Sequence, residues 1–428
     1  MNKVVLAYSG GLDTSVAVAW LKEQYGAEVI TLTVDLGGGS LKEGVERRAM
    51  SAGASRAYVV DARERFVTGF VWPHLQADAL YQGAYPLATA LARPLIAQLL
   101  VEVANREGAD AVAHGCTGKG NDQVRFDVAT HALDPGLEVV APMRVGMGLS
   151  RDQEIDYAIE RGIEIPITRA SPYSIDANLW GRSIETGVLE DPWVAPPDDV
   201  YQWTVDPVKA PAPLELTITF EGGIPVAIDG QRLSPVALVE RLHDLGGAHG
   251  VGRIDHVEDR LVGIKSREIY EAPAATILHT AHRALEGLVL TKDTLRFDRL
   301  VADELAQLTY DGLWFSALAR DLRQYAASSQ RVVSGEVRIR LDHGSAVVVG
   351  RRSPLSLYDR DLATYDQGDA FDHAAAVGFI GIFGLPLRVE AARSGAVGAH
   401  HGAAWSWTDP LLPSLPVTVA DPEPAAVG

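Results

Sequence analysis

Hydrophobic and polar positions follow two different periods in the first 170 residues. Short apolar runs predict strands at 4–8, 28–36, 57–62, 110–116, 138–143 and 163–168. Apolar residues at helical spacing predict helices at 14–24 and 87–107, and Ser40 with Glu43 has the spacing of a capping box before another helix. Alternating strands and helices indicate βαβ units, so we predict an α/β domain with a parallel sheet. Ligands of such sheets bind beyond the carboxyl ends of the strands.

The pattern changes from about residue 171, where turn formers and aromatic residues become frequent. Residues 214–228 read as a hairpin with a Gly-Gly turn, and 331–341 with 346–352 as a second hairpin. A helix is predicted at 236–245 and two long helices between 274 and 328. We therefore predict an α+β domain over 171–365, after a boundary near residue 170. The stretch 394–428, rich in Ala, Gly, His and Pro, has no periodicity and is predicted to be disordered.

Composition narrows the class of protein. The 428 residues are 47% hydrophobic, and the formal net charge of −18 argues against nucleic acid or an anionic membrane as the main partner. The single cysteine, Cys116, excludes an intrachain disulfide and a cysteine-based zinc site. No signal peptide is apparent, and Arg93-Pro94 interrupts the longest apolar run, 84–104, which reads as a buried helix. We expect a cytoplasmic protein.

The sequence SGGLDTS, residues 9–15, joins the first predicted strand to the first predicted helix. Gly10 and Gly11 leave room for a phosphate, which the backbone N–H groups and dipole of a helix start would bind. Asp13 suits such a site where Mg²⁺ or an ammonium group is nearby. The motif lacks the Gly-Lys-Ser/Thr of the P-loop and is not G-x-G-x-x-G. The alternative is an ordinary capped turn.

A second polar cluster, AHGCTGKGNDQVRFD at 113–127, follows another predicted strand. Arg125 offers a bidentate fork for a carboxylate, and Asp122 a partner for an ammonium group, so together they suit an amino acid. The alternative is a solvated loop with a local ion pair. We interpret His114 as a packed histidine and Cys116 as an unreactive thiol.

Weaker candidates lie further from these motifs. Tyr85, Thr89 and Arg93 are about as well explained by core packing or helix capping as by a pocket. Serines in a linker are usually just solvated, and the charged segment 253–278 reads by itself as an exposed helix or strand.

The motifs carry a family resemblance. SGGLDTS resembles the pyrophosphate loop of the N-type ATP pyrophosphatases. With HGCTGKGNDQVRF, SPYSIDANLWGRSIETGVLEDP, HGVGRIDHVEDRLVGIKSREIYEAPAATIL, SGEVRIRLDHGSAVVVGRRSPLSLYD and GFIGIFGLPLR, the chain resembles the argininosuccinate synthase family up to about Arg393. The resemblance implies a nucleotide-binding domain, a synthetase domain, a C-terminal oligomerisation segment at 366–393 and a homotetramer. It also implies ATP-dependent joining of citrulline to aspartate through citrullyl-AMP, with release of AMP and pyrophosphate.

By motif, the resemblance implies an ATP site formed by Ala7, Tyr8, Ser9, Gly10, Gly11, Leu12, Asp13, Thr14, Ser15, Val34 and Gly115. Aspartate would be bound by Thr117, Asn121 and Asp122. Citrulline would be bound by Tyr85, Asn121, Arg125, Ser174, Ser183, Glu258 and Tyr270. Contributions to catalysis are expected from Ser9, Asp13, Asp122 and Lys119, and Mg²⁺ would accompany ATP without a metal-binding residue set of the protein's own.

The chain also departs from the family pattern. Ala90 stands where some members place a serine that helps bind citrulline, so it has no expected side-chain role. DLGGGSLKE differs from the common sequence after the second strand, and the chain after Arg393 matches nothing in the pattern.

Two other classes stay open. One is a different adenylating enzyme of the superfamily. A tRNA thiolase would be expected to show a cysteine pair and a basic surface, and a glutamine-dependent synthetase an amidotransferase domain, for which the start of this sequence leaves no room; NAD synthetase is compatible with the loop alone. The other class is a non-catalytic ATP-binding regulator, which would leave the cluster at 121–125 without a role.

Overall fold

The computed structural model describes residues 1–39, 41, 43–145, 147–149, 151–164, 173–365 and 369–401. These residues belong to two compact units, Met1–Tyr358 and a second unit that begins at Asp359. The strands of the first unit are β1 Lys3–Ala7, β2 Glu28–Asp35, β3 Arg56–Asp61, β4 Ala111–Ala113, β5 Glu138–Val140, β6 Ser174–Asn178, β7 Gly181–Glu185, β8 Leu214–Glu221, β9 Ile224–Ile228, β10 Gln231–Arg232, β11 Arg253–Asp259, β12 Lys265–Glu271, β13 Gly335–Asp342 and β14 Ser345–Arg352.

The α-helices of the first unit come between these strands. They are α1 Leu12–Tyr25, α2 Val45–Ser51, α3 Arg63–Phe66, α4 Trp72–Gln76, α5 Ala88–Glu107, α6 Asp122–Leu133, α7 Pro142–Val145, α8 Arg151–Glu160, α9 Pro235–Ala248, α10 Pro273–Val289, α11 Lys292–Tyr310 and α12 Ala317–Ser329.

The first sheet is parallel, with the strand order β3-β2-β1-β4-β5. Its central strand is covered on both faces, because Val4 and Leu6 pack in one apolar cluster with α1 and Val5 packs in another with α5. The chain leaves β1 toward β2 and later returns on the other side at β4. The carboxyl ends of β1 and β4 therefore flank a topological switch point, where a ligand crevice is expected. The predicted α/β class is confirmed.

Two antiparallel sheets follow, in the orders β11-β12-β7-β6 and β10-β9-β8-β13-β14. In the four-stranded sheet, Arg182 of β7 lies opposite Glu271 of β12, and Arg182 Nη1 donates to Glu271 Oε2 at 2.6 Å. Glu271 is fully buried and also accepts hydrogen bonds from the backbone N–H groups of Gln202 and Thr204. These contacts satisfy a buried charge and fix the strands that carry the predicted citrulline residues.

Several predicted elements need correction. The stretch 274–328 contains parts of three helices rather than two, because the chain breaks again at Gly312, where φ is +82°. Helix α2 begins after Gly44 without a side-chain cap, and Ser40 of the predicted capping box lies outside the described residues. Most of the strand predicted at 163–168 also lies outside them, and residues 163–164 are not in a strand. The helical stretch from α3 to α4 had no counterpart in the prediction.

Glu286 on α10 gives the first unit a predicted pH dependence. Burial raises the pKa of this carboxyl from its usual 4.5 to about 8, and the negative charge of Asp78 acts in the same direction. The folded chain therefore keeps a proton that the unfolded chain releases above pH ~4.5, so this stability is full below that pH and is lost as pH rises to about 8. We expect the wild-type chain to lose on the order of 2 kcal/mol more than Glu286→Gln between pH 6 and 9.

Urea unfolding of both proteins at the two pH values measures this difference. Gln330 Nε2 donates to Glu286 Oε1 at 2.7 Å, and a glutamine at 286 offers the same carbonyl acceptor without a titrating proton. Equal pH dependence in the two proteins would contradict the assignment to Glu286.

The second unit contains three helices among its described residues: α13 Arg360–Ala363, α14 His373–Phe383 and α15 Leu385–His401. Helix α15 extends past the boundary predicted at 393–394. Residues 385–393 favour a helix through Leu, Arg, Glu and Ala, and the helix continues from them. The rest of the predicted tail, 402–428, lies outside the described residues.

The stretch His373–Arg393 is long enough and apolar enough to cross a membrane, by these two criteria alone. None of its apolar part is buried in the structure. The sequence prediction had considered only 84–104, which is confirmed as a largely buried helix, α5.

Candidate active site

The glycine-rich junction connects β1 to α1. Gly10 has φ +69°, and a Cβ built there would lie 2.9 Å from Val45 Cγ2, so both the backbone and the space require glycine. Gly11 is the N-cap of α1, and no side chain caps this helix. The first-turn N–H groups of α1 are therefore left for an external acceptor, as the sequence predicted.

The side chains of this junction fall into two groups. Ser9 Oγ and Thr14 Oγ1 lie 3.2 Å apart, and both residues line a cavity. Ser15 is fully buried, and its Oγ lies 2.8 Å from the Tyr8 hydroxyl. Asp13 is exposed in the first turn of α1. Ser15 is thus committed to an internal hydrogen bond, whereas the hydroxyls of Ser9 and Thr14 face the cavity.

The cavity has a volume of about 700 Å³ and opens at the carboxyl ends of β1, β2 and β4. Most of the predicted ATP residues line it: Ala7, Tyr8, Ser9, Gly11, Leu12, Asp13, Thr14, Val34 and Gly115. Gly10 and Ser15 support the loop from behind. The opposite wall comes from the four-stranded sheet, through Ile175, Asp176 and Asn178. The volume is within the range of small-molecule sites.

Arg93 on α5 connects this cavity to the second polar cluster. It lines the cavity, and its Nη2 donates to Asp122 Oδ2 at 2.8 Å and to Asp176 Oδ2. Arg125 Nη1 donates to the other Asp122 oxygen at 3.0 Å. Burial opposes ionisation of Asp122, but Arg93 and Arg125 together hold the pKa of its carboxyl below the usual value. Asp122 is therefore ionised at neutral pH and lies between two guanidinium groups.

Arg125 is only partly available as the predicted bidentate fork. Its Nε donates to the carbonyl oxygen of Tyr310 at 2.9 Å, and its Nη1 is bound to Asp122. Its Nη2 is buried and has no hydrogen-bond partner within the described part of the chain. Tertiary contacts therefore use one N–H on each of two nitrogens, and the fork is less free than expected. Nη2, with its two N–H groups, remains unsatisfied, which is costly to bury and suits a ligand oxygen.

Glu258 lies in a buried pocket of tyrosines, not on an exposed charged segment. The hydroxyl of Tyr270 donates to Glu258 Oε2 at 2.6 Å, and that of Tyr310 donates to Oε1 at 2.5 Å. Tyr85 stacks on Tyr270 with ring centroids 4.2 Å apart. Burial raises the pKa of Tyr85, Tyr270 and Tyr310, so all three hydroxyls stay protonated. Glu258 is only 2% exposed.

Tyr310 is a site residue that the sequence reasoning missed. Its hydroxyl accepts a hydrogen bond from Asn121 Nδ2 at 2.8 Å and donates to Glu258, so it connects the two predicted amino-acid clusters. The guanidinium of Arg125 lies over its ring, 4.9 Å from the centroid. Tyr310 ends an amphipathic helix, α11, and nothing in that local pattern separates it from an ordinary core residue.

Ser183 lies beside the same cluster through strand pairing. It is opposite Tyr270 on β12 and opposite Asp176 on β6. Its Oγ lies 3.4 Å from Thr89 Oγ1. Ala90 is fully buried, in agreement with the absence of a polar role. Ser174 is exposed at the start of β6, and its backbone N–H donates to Thr186 Oγ1 at 3.0 Å.

The remaining predicted residues lie at the edge of the site. Thr117 and Lys119 are exposed in the loop before α6. Cys116 lines the cavity, and burial raises the pKa of its thiol, which favours the unreactive form. His114 is buried, stacks on Phe126 and lies 2.8 Å from Asp127 Oδ1, as expected of a packed histidine.

Sequence comparisons agree with this geometry. The family model described as Arginosuccinate synthase N-terminal HUP domain matches residues 3–164, and the Arginosuccinate synthase C-terminal domain matches 173–390. The argininosuccinate synthase of Dehalococcoides mccartyi is 55% identical over 392 residues, 91% of this chain and 96% of that protein. That of Symbiobacterium thermophilum is 55% identical over 393 residues, 91% of this chain and 98% of that protein. These proteins resemble the chain over both matched domains.

Proposed function

The chain belongs to the argininosuccinate synthase family, and from that premise we propose how its residues divide the reaction. It is an AMP-forming carbon–nitrogen ligase that uses ATP to join citrulline to aspartate. Arg93 carries the proposal, because this side chain lines the cavity behind the glycine-rich loop and also binds Asp122. The nucleotide and the two amino acids would therefore meet at Arg93.

In the proposed first step, the ureido oxygen of citrulline attacks the α-phosphorus of ATP, pyrophosphate leaves, and citrullyl-AMP forms. The N–H groups at the start of α1, with the hydroxyls of Ser9 and Thr14, would bind the phosphates that become pyrophosphate. Val34 and Gly115 would contact the nucleoside. These groups are preorganised on two parallel strands and a helix, so little reorganisation accompanies the reaction.

Asp13 and Asp176 fit the Mg²⁺ that accompanies ATP. Both carboxylates line the cavity, and Mg²⁺ in nucleotide sites usually takes one or two carboxylates together with phosphate oxygens and water. Among the described residues, no group of three or more His, Cys, Asp or Glu side chains is placed to hold a metal by itself. When bound, the ion would neutralise charge on the phosphates.

In the proposed second step, the α-amine of aspartate attacks the activated carbon and expels AMP. The ionised Asp122 would orient the amino group, and Thr117 with Asn121 would bind aspartate beside it. Lys119, exposed in the same loop, would add positive charge at the mouth of the site. No side chain forms a covalent intermediate in this scheme, which suits the protonated thiol of Cys116.

Citrulline would lie along the tyrosine pocket. The free Nη2 of Arg125 would donate to its carboxylate, and Glu258 would accept from its polar N–H groups. The Tyr85 hydroxyl accepts from the backbone N–H of Thr89 at 3.0 Å, so its own proton is free to donate to the ligand. Ser174, Ser183 and Tyr270 would complete the site from the four-stranded sheet.

Omission of one substrate at a time tests the proposed function. With ATP, citrulline and aspartate present, we expect AMP and pyrophosphate in equal amounts. With citrulline omitted, we expect neither; with aspartate omitted, we expect citrulline-dependent exchange between ATP and pyrophosphate. Turnover without citrulline would contradict the reaction. A regulator would bind ATP in calorimetry but would show no ATP-dependent binding of either amino acid.

We also propose that the second unit assembles copies of the chain into a homotetramer. Helices α14 and α15 expose large apolar side chains, including Ile380, Ile382 and Phe383, each at least 67% exposed. An exposed apolar surface of this extent is typical of an interface. Apart from this segment, the acidic, disulfide-free chain suits a cytoplasmic enzyme, with an ATP-binding domain over 1–170 and a synthetase domain over 171–365.

The double variant Ile380→Glu/Phe383→Glu is expected to shift the protein to smaller species, because two charges would have to be desolvated at each interface. Light scattering coupled to size exclusion measures the mass. A matched variant, Asp293→Glu on the exposed face of α11, is expected to keep the wild-type mass. An unchanged mass of the double variant would contradict the role of this segment.

A further inference from the structure

Arg48 is a buried cation that forms no salt bridge among the described residues, although its charge is near enough to Glu164 to add to the effect of Arg47 in lowering the pKa of that carboxyl. It lies on α2, is 7% exposed, and donates from Nη1 to the carbonyl oxygen of Glu43 at 2.6 Å. Its Nε and Nη2 are buried and have no hydrogen-bond partner among the residues that the structure describes. A buried guanidinium with two unsatisfied nitrogens destabilises the fold unless an anion compensates its charge.

The guanidinium lies directly against the glycine-rich loop. A Cβ built on Gly10 would be 3.1 Å from Arg48 Nη2 and 3.7 Å from Nε. The positive charge of Arg48 also acts on the buried hydroxyl of Tyr8, the residue before Ser9, in opposition to the effect of burial on its pKa. Arg48 is therefore close enough to influence an anion bound by the loop.

The cavity itself offers no net positive charge from its described lining. Its charged lining residues are Asp13, Asp176 and Arg93, and Arg93 is already bound to two carboxylates. The triphosphate of ATP carries several negative charges, which Mg²⁺ neutralises only in part. The loop thus needs a further cation, and Arg48 lies beside it.

We propose that Arg48 is a positioning residue for the leaving pyrophosphate. From behind Gly10, its charge would attract the β- and γ-phosphates and stabilise the negative charge that develops on pyrophosphate as the α-phosphorus is attacked. This inference rests on the proposed ATP site, and it gives Gly10 a second reason to be glycine, since a side chain there would displace the guanidinium. It also gives a role to the two buried guanidinium nitrogens of Arg48 that have no hydrogen-bond partner among the described residues.

Arg48→Met and Arg48→Lys test the inference, with Arg47→Met as the matched control. Arg47 is the preceding residue of the same helix, is 71% exposed and pairs with Glu164 at 2.9 Å. Calorimetry of the full-length protein would measure the binding of magnesium pyrophosphate and of AMP. For Arg48→Met we expect pyrophosphate affinity to fall about 10- to 100-fold, AMP affinity to be unchanged, and Tm without ligand to be equal or higher.

Each result has a definite meaning. Arg48→Lys, which keeps the charge, is expected to retain most of the pyrophosphate affinity, and Arg47→Met all of it. Equal pyrophosphate binding by Arg48→Met and Arg47→Met would overturn the inference and leave the ATP site intact. The inference would also be overturned if Arg48→Met lost pyrophosphate and AMP affinity equally and had a lower Tm. That result would indicate a purely structural role for Arg48. Failure of the wild-type chain to bind pyrophosphate would overturn the ATP-loop assignment as well.

Discussion

Asp122→Asn is expected to lower kcat/KM for aspartate about 1000-fold while the affinity for ATP changes less than about threefold. The substitution keeps the shape of the side chain but removes the charge that Arg93 and Arg125 share. Removing one partner of a buried pair typically costs about 3–5 kcal/mol, because the remaining charge is left uncompensated. Each 1.4 kcal/mol is a factor of ten, which gives the expected size.

The selectivity of this effect is its main test. Arg93 lines the ATP cavity and is bound to Asp176 as well as to Asp122, so one carboxylate partner would remain in the variant. Steady-state kinetics with each substrate varied, together with calorimetry of ATP, separates the two sites. Asp293→Asn, at an aspartate whose side chain is 88% exposed, is the control. An equal loss for ATP and aspartate would contradict the role of Asp122.

Glu258→Gln is expected to reduce citrulline-dependent exchange between ATP and pyrophosphate about 100-fold, with little change in ATP affinity. Both carboxylate oxygens of Glu258 accept hydrogen bonds from tyrosine hydroxyls, those of Tyr270 and Tyr310. In a glutamine, the NH2 group would replace one of these oxygens and would face a hydroxyl that also donates. Unsatisfied buried donors cost about 1–3 kcal/mol each, and the variant also loses the negative charge available to citrulline.

Exchange in the absence of aspartate isolates this first step from the second. An exposed glutamate on α11 provides the control variant Glu304→Gln, for which we expect wild-type rates. If Glu258→Gln lowered only the aspartate-dependent step and left the exchange reaction intact, Glu258 would not belong to the citrulline site.

The elements that the sequence predicted correctly are those whose local pattern is sufficient. Val4, Val5 and Leu6 form a continuous apolar run and are buried on both faces of a parallel sheet, which is the environment such runs indicate. The Gly10-Gly11 turn is also local, since φ +69° at Gly10 and a helix start at Leu12 follow from adjacent residues. The segment 253–278 was left open as an exposed helix or strand, because its many charged residues show no clear period. It forms the antiparallel pair β11 and β12, and β12 also pairs with the distant β7.

The candidate site was only partly accessible from sequence. The residues of the two motifs were found, and the resemblance placed Glu258 and Tyr270 beside them. The sequence did not show that the carbonyl oxygen of Tyr310, 185 residues away, takes the Nε of Arg125 and leaves less of its guanidinium for a ligand. Tyr310 itself was missed because a tyrosine at the end of an amphipathic helix is usually a core residue.

Sequence alone thus determined the class of the fold, the glycine turn between β1 and α1 and the family, because each depends on residues that are neighbours in the chain. Tertiary structure decided which polar atoms remain free. Asp122 is bound by Arg93 and Arg125. Among the described residues, Arg125 retains a single free nitrogen, and Arg48 keeps two guanidinium nitrogens without a hydrogen-bond partner beside Gly10. A buried charge is stabilised or left unsatisfied by whatever group the fold brings within about 3 Å, and sequence spacing does not specify that distance.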